Sequence, residues 1–308
     1  MRTATLAIVL LFLVSAPAAA DDVAAPKPVD RQVADLIASM EKSDYAGKEA
    51  TDKLVAIGKP AVAQLLVAIK HPAARVRYWS AAAVARIGDE SAYAPLVELA
   101  KSDASGMVRA TALWYLQHYP RQEVWDLAIK FLDDPSREMR GWAIKLLSTK
   151  NRTEALAKLE EAATKHADYQ TRYDAMVAVT AMRDADAIEF LRGIVKNDVH
   201  ETVRKGALSC LTVLKTKPPV LLTVLIDGLE DKDAGVREFA GKLLRKGTTQ
   251  EFPFEPSGDS ESRAAGVRAW REWFDKHKDR LAWDAARKRF EIRPQPEVPA
   301  DLPAELRQ

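Results

Sequence analysis

Apolar residues recur with a helical period in six stretches of the chain, and these stretches resemble one another. Mostly apolar or small residues stand at the first, fifth, eighth and ninth positions of each stretch, and an arginine stands at the second. This spacing puts the apolar positions on one face of an α-helix. The arginines follow one another at intervals of 31 to 33 residues: Arg77, Arg109, Arg140, Arg172, Arg204 and Arg237. Six units at near-constant spacing predict a repeat protein.

A second amphipathic segment follows each stretch after a break, so each repeat is predicted to be a pair of helices. The breaks include the sequence Ile-Gly-Asp at 87–89 and the prolines at 218 and 219. Residues 49–57 and 61–69 predict an earlier pair without the arginine, and residues 31–40 predict a leading helix with Asp30 as its N-cap. One pair cannot bury its apolar face alone, whereas stacked pairs can. The predicted fold class is therefore all-α, an α-solenoid.

An aspartate precedes the arginine by six residues in four of the six repeats. The four pairs are Asp103 and Arg109, Asp134 and Arg140, Asp198 and Arg204, and Asp231 and Arg237. A helix pair of about 32 residues with this Asp and Val-Arg pattern resembles the short HEAT repeat, which is also found in phycobilisome-lyase-like proteins. The resemblance covers roughly residues 44–245 and implies a HEAT-like superhelix in which the Asp and Arg side chains form a structural ladder between successive turns. His71 and His166 replace the aspartate before Arg77 and Arg172, so those two repeats depart from the ladder pattern.

The residue types that carry catalysis or metal binding show no suitable arrangement along the chain. No two of the five histidines lie at metal-ligand spacing, and the single His200-Glu201 pair falls short of the several His-Glu pairs that bind iron in the HEAT-like deoxyhypusine hydroxylases. Cys210, the only cysteine, falls on the apolar face of its repeat and is predicted to be buried. We therefore predict no catalytic residue, no cofactor and no metal.

Tryptophans in the early repeats form a candidate interaction surface. Trp79 and Trp142 share the fourth position of their repeats, off the predicted apolar face, and Trp114 lies in the repeat between them. An aromatic stripe exposed on adjacent first helices would suit a protein interface, where tryptophan is enriched. The alternative is that these rings pack between neighbouring repeats.

The repeat pattern stops after Leu244, and an aromatic segment follows. A loop at 247–262 precedes a helix predicted from about Arg263, with Trp270, Trp273 and Phe274 on one face, and Trp283 then lies in the first strand of a possible β-hairpin formed by 281–284 and 289–292. This order resembles the C-terminal module of other exported bacterial HEAT-repeat proteins, with the aromatic-proline loop at 252–254 and the tryptophan motif at 270–274. We interpret the segment as a cap over the last apolar edge of the solenoid. A ligand surface and a nucleic-acid surface remain alternatives, because residues 263–293 carry ten basic and five acidic side chains.

The N-terminus has the layout of a signal peptide. Arg2 precedes the apolar run at 6–14, and small residues lead to a cleavage site near Ala20, so we expect an exported protein in the periplasm or outside the cell. The run is too short to span a bilayer, which takes roughly 20 residues. The predicted organisation is a signal peptide (1–20), a linker and leading helix (21–43), HEAT-like repeats (44–246), a capping module (247–293) and a Pro-rich tail (294–308).

Charge and cysteine content narrow the function. Without Arg2 the chain has 45 basic and 44 acidic residues, which argues against a polyanion-binding protein and so against a likeness to the HEAT-like alkylpurine DNA glycosylases. The single cysteine excludes an intrachain disulfide. We predict a non-catalytic scaffold or adaptor whose extended surface binds another protein, with no nucleic-acid partner and no membrane span. The alternatives are a lyase-like or other HEAT-type enzyme, and a binder of glycans or small ligands that uses the tryptophans.

Overall fold

A computed structural model describes residues 28–294 of the chain, so the predicted signal peptide and all of the Pro-rich tail after Pro294 lie outside the described residues. The described part contains fifteen α-helices and one antiparallel sheet of two strands. Within it, no helix combines the length and the apolar character needed to cross a membrane. The all-α solenoid with a small C-terminal sheet is therefore confirmed.

The first helices of the repeats pack against one another in series. They are α2 (Asp44–Ile57), α4 (Ala74–Ile87), α6 (Gly106–Leu116), α8 (Arg137–Thr149), α10 (Tyr169–Arg183), α12 (Glu201–Val213) and α14 (Ala234–Thr248). Five of the six residues at the fifth repeat position are alanines with no exposed surface, such as Ala143 and Ala175. A side chain of one carbon lets neighbouring helices approach closely, so the repeated small residue determines the spacing of the stack.

The second helices lie beside the first and contact the first helix of the next repeat. They are α3 (Val62–Ala68), α5 (Tyr93–Ser102), α7 (Gln122–Lys130), α9 (Leu156–Lys165), α11 (Ile188–Asn197) and α13 (Leu221–Gly228). Short 3₁₀ turns adjoin five of them, and left-handed glycines make two of the preceding breaks, at Gly58 (φ 75°) and Gly88 (φ 77°). The core runs continuously between the two rows of helices.

The leading helix α1 (Val29–Ser39) covers the start of the solenoid. Its N-cap residue is Pro28, so the prediction of Asp30 as the N-cap is wrong, and Asp30 lies in the first turn, where a carboxylate also meets the positive end of the helix dipole. The buried Met40 follows this helix and accepts a hydrogen bond from the Ser80 hydroxyl at 3.6 Å. Met40, which lies outside the repeats, thus connects the leading segment to α4 through this buried contact.

The capping module consists of α15 (Ser260–His277) and a hairpin of β1 (Leu281–Asp284) and β2 (Arg289–Ile292). Both predicted strands have these bounds, and Trp283 pairs with Phe290 across the hairpin. The helix begins three residues before Arg263 because the Asp259 carboxylate accepts a hydrogen bond from the Ser262 backbone N–H at 2.8 Å. The module packs α15 against α13 and β2 against α14.

Candidate interaction surface

All six repeat arginines share one contact to their own turn, and five of them make a second contact to the next carbonyl. In the shared contact, Nη1 of the arginine donates to the backbone carbonyl of the residue six positions earlier, at 2.7 to 2.9 Å, for example from Arg204 to Asp198. The acceptor is a carbonyl that any residue supplies. The arginines that follow His71 and His166 are therefore held like the others, and the expected departure at these two repeats does not affect this contact.

The carboxylates link one repeat to the next. Arg77, Arg172 and Arg204 each donate to both oxygens of the aspartate in the following turn, at 2.7 to 2.9 Å, and Arg109 donates to Asp134 at 2.9 Å. Bidentate pairing uses the planar guanidinium fully and gives direction as well as energy. The acceptors of the three bidentate pairs are Asp103, Asp198 and Asp231.

The same aspartates also order their own turns. Each accepts a hydrogen bond from the backbone N–H two residues later, at 2.7 to 2.8 Å. His71 and His166 do the same through Nδ1, which accepts from the N–H of Ala73 at 3.1 Å and of Asp168 at 3.0 Å. Histidine therefore replaces aspartate in the turn, but it offers no carboxylate to the preceding arginine.

Arg140 precedes the His166 turn and finds a different acceptor. Its Nη2 donates to Asp168 at 3.0 Å. Its Nε donates to the Thr171 hydroxyl at 2.9 Å, and this hydroxyl donates to Asp168 at 2.8 Å. Burial by itself would raise the pKa of Asp168, but hydrogen bonds from Thr171, the Gln170 backbone and Arg140 outweigh it and lower the pKa to about 2. Sequence reasoning missed this acceptor, although an aspartate two residues after the histidine was a visible signal.

Among the residues that the structure describes, no carboxylate lies at ion-pair distance from the last arginine. Arg237 donates from Nε to the carbonyl of Pro256 at 2.6 Å, in the loop that leads to α15, and from Nη1 to the carbonyls of Asp231 and Lys232. The ladder thus ends by fixing the loop of the capping module.

The three candidate surface tryptophans are half-buried, so the expected exposed stripe is only partly realised. The rings of Trp114 and Trp142 lie 5.1 Å apart, and the Lys145 ammonium stands 5.2 Å and 4.9 Å from their centroids. Lys145 follows Trp142 by three residues on α8, a spacing that the sequence already showed. The Lys145 ammonium adds a positive charge beside the two aromatic rings, and both rings remain partly exposed.

Trp79 occupies a separate place near the start of the solenoid. Its indole lies directly over Gly47 of α2, where a Cβ atom would meet the ring nitrogen at 2.1 Å, so only glycine fits there. A groove of about 440 Å³ runs beside it, lined by Tyr78, Arg75 and the half-exposed Met107 among others. The tryptophans therefore lie on three consecutive first helices but do not form one continuous row of contacts.

The cap residues lie where the apolar face of α15 meets the solenoid. Trp270 is 1% exposed and contacts Phe252 edge-on at 4.8 Å, while Trp273 and Phe274 are also buried and Trp283 is half-buried. Gly266 lets the loop at Pro253 and Phe254 lie close to α15, since a Cβ there would come within 2.6 Å of the Pro253 carbonyl. The burial is that of a packed terminal element.

Side chains with catalytic potential are dispersed or buried. Among residues 28–294, no group of three His, Cys, Asp or Glu side chains is arranged to hold a metal ion. Cys210 is buried as predicted, and burial raises the pKa of its thiol, which disfavours the thiolate.

A family model described as HEAT repeats matches residues 33–117 and 125–212, which together are more than half of the chain. The chain belongs to the HEAT-repeat family. HEAT repeats are typical of protein-binding solenoids, and the matched ranges end before α13, α14 and the capping module.

Two further comparisons add little to this assignment. No curated protein sequence matches the chain. A solved structure titled as the complex of CpcE and CpcF of phycocyanin lyase from Nostoc sp. PCC7120 covers 84% of this chain and 98% of its own, at 17% identity and a TM-score of 0.40. A likeness at this level carries no argument about function.

Proposed function

We propose that this protein is an exported, non-catalytic scaffold that binds a protein partner through the first-helix face around Trp79, Trp114 and Trp142. The observation that supports this most is the placement of three half-buried tryptophans on α4, α6 and α8, with Lys145 over two of the rings. Tryptophan is enriched among the residues that dominate binding energy at protein interfaces.

The scaffold itself supports such a role. Five Arg–Asp links between successive turns hold neighbouring first helices in a constant relation, so the surface is ordered before a partner arrives. A surface that is ordered in advance loses less conformational entropy on association. The partner is expected to present an apolar anchor beside a carboxylate, because Lys145 and Arg75 are exposed cations on this face.

A pair of matched glycines allows a direct test of the binding face. Gly141 on α8 is adjacent to Trp142, and Gly193 lies on the second helix α11; a Cβ at either position meets nothing within 4 Å. Both positions therefore have room for the Cβ of a larger side chain, and arginine is chosen to block a partner. Crosslinked pull-down from the envelope fraction should lose a specific partner with Gly141→Arg and keep it with Gly193→Arg.

Two outcomes would contradict the proposal. Recovery of the bait alone with the parent protein argues against a scaffold, and loss of the partner only with Gly193→Arg moves the site to the second-helix face. A metal or chromophore that purifies with the parent protein would overturn the non-catalytic assignment.

Export is a separate part of the proposal, because the segment that supports it lies outside the described residues. The order of Arg2, the apolar run at 6–14 and small residues near Ala20 supports cleavage there. N-terminal sequencing of protein from the envelope fraction should start at Asp21. A chain that still starts at Met1 and is found in the cytoplasm would exclude export.

A further inference from the structure

A cleft of about 500 Å³ lies between the last repeats and the C-terminal hairpin. Leucines of α12, α13 and α14 lie along it: Leu211 and Leu222 have no exposed surface, and Leu243 is half-buried. Trp283 and Phe290 of the hairpin line it as well. The volume falls in the range of small-molecule sites, and the lining is mainly aliphatic.

Three lysines border the same cleft, namely Lys217, Lys246 and Lys288. Within residues 28–294, no aspartate or glutamate lines the cleft, and none of the three ammonium groups has a carboxylate at ion-pair distance. Lys217 instead donates to the Leu214 carbonyl and stands 5.0 Å from the Trp283 ring centroid. The cleft therefore combines an aliphatic interior with uncompensated positive charge.

We propose that this cleft binds a free long-chain carboxylate of the fatty-acid class. The aliphatic chain would lie against the half-buried Leu243 and Trp283, and the carboxylate would meet the lysines in charge-assisted hydrogen bonds. A peptide fits less well, since among the described lining residues only the Thr212 side chain can accept a hydrogen bond from peptide backbone N–H groups. This site is distinct from the proposed protein-binding face, and neither assignment depends on the other.

Calorimetric titration of the full chain with dodecanoate, kept below its micelle-forming concentration, tests the assignment. We expect saturable binding of one molecule per chain, and at least tenfold weaker binding of dodecanol and of dodecyltrimethylammonium. Absence of saturable dodecanoate binding would overturn the proposal. This holds even if the protein sediments with anionic phospholipid vesicles. Equal binding of dodecanol would overturn the role of the lysines.

Variants locate the ligand within the molecule. Gly247 of α14 lines the cleft, and a Cβ there meets nothing within 4 Å, so Gly247→Phe should place a ring in the cleft. We expect it to weaken dodecanoate binding at least tenfold, while Gly247→Ala leaves binding within twofold. Both variants should melt at or above the temperature of the parent protein, because glycine is a poor helix former.

The lysines are tested by a matched pair of double variants. Lys246→Gln with Lys288→Gln should weaken dodecanoate binding about tenfold. Lys242→Gln with Lys276→Gln removes the same charge from exposed positions outside the cleft and should have little effect. If Gly247→Phe and the cleft lysine variant both bind like the parent, the ligand is elsewhere and the proposal fails.

Discussion

Two links of the arginine ladder differ although their arginines occupy the same repeat position. Arg204 meets both oxygens of Asp231, and the two side chains are only 3% and 4% exposed. Arg140 meets one oxygen of Asp168, which is 30% exposed, and completes its contacts through the Thr171 hydroxyl. The repeat determines where the arginine stands, but the next turn determines which acceptor it finds.

The difference originates in a single residue of the turn. His166 orders its turn through Nδ1 as an aspartate would, yet it leaves Arg140 without the usual carboxylate. Asp168 and Thr171 supply the missing acceptors from the start of α10. At the end of the ladder, Arg237 takes a carbonyl of the capping loop in place of a carboxylate. The contrast predicts unequal costs when links are removed.

The largest effect is expected at the most buried link. Arg204→Met leaves the Asp231 carboxylate buried without its partner, which should lower the free energy of unfolding by about 3 to 5 kcal/mol. Urea unfolding followed by circular dichroism measures it. Arg86→Met is the matched control, because Arg86 pairs with Asp52 at the surface and should cost less than about 1 kcal/mol. Equal losses in the two variants would show that burial of the link is unimportant.

The cap at the end of the ladder should respond next. Trp270→Ala removes a ring that is 1% exposed and should cost roughly 3 kcal/mol or more by the same unfolding measurement. Trp283→Ala, at a half-buried position of the same module, serves as the control and should cost clearly less. A Trp270→Ala protein as stable as the parent would mean that the module does not cap the solenoid.

Replacement of Arg237 tests how much the carbonyl acceptors, as opposed to the carboxylates, contribute to the stability of the ladder. Arg237→Met strands three carbonyl oxygens but no carboxylate, so it should cost about 2 kcal/mol, less than Arg204→Met. Thermal and urea unfolding of the two variants side by side give the comparison. If they lose the same free energy, the carbonyl contacts rather than the buried charge account for the ladder.

The smallest effect is expected at Thr171. Thr171→Val introduces the valine that other repeats have at this position, as at Val203 and Val236. It also removes the hydroxyl between Arg140 and Asp168. We expect a loss of about 1 kcal/mol at neutral pH. The pKa of Asp168 should move up from about 2 toward its ordinary value.

The pH dependence of this variant follows from the lowered pKa. A carboxylate whose pKa is lower in the folded state stabilises the protein above its unfolded pKa of about 3.9, and the stabilisation is lost as the pH falls through the folded value. The difference in stability between the parent and Thr171→Val should therefore narrow from about pH 4 to about pH 2. Acid titrations of the unfolding free energy measure this, and a constant difference would contradict the role of Asp168.

Much of the fold was predictable because it is local and repeated. The 32-residue period, the apolar positions and the Asp-Arg spacing indicated the solenoid, and the aromatic spacing indicated α15 and the hairpin. Helix starts were less certain. The Ser43 hydroxyl accepts a hydrogen bond from the Ala46 N–H, and α2 therefore begins at Asp44, five residues before the predicted start. Capping depends on one hydrogen bond that a pattern over many residues does not resolve.

The sequence by itself determined the repeat, the place of each arginine and the apolar face of the cap, because helical periodicity and turn chemistry act over a few residues. The tertiary structure decided which acceptor each arginine meets, how far Trp79, Trp114 and Trp142 are covered, and that leucines of three helices and three lysines enclose one cleft with the hairpin. These features join residues 19 to 79 positions apart, and only the packing of successive elements brings them together.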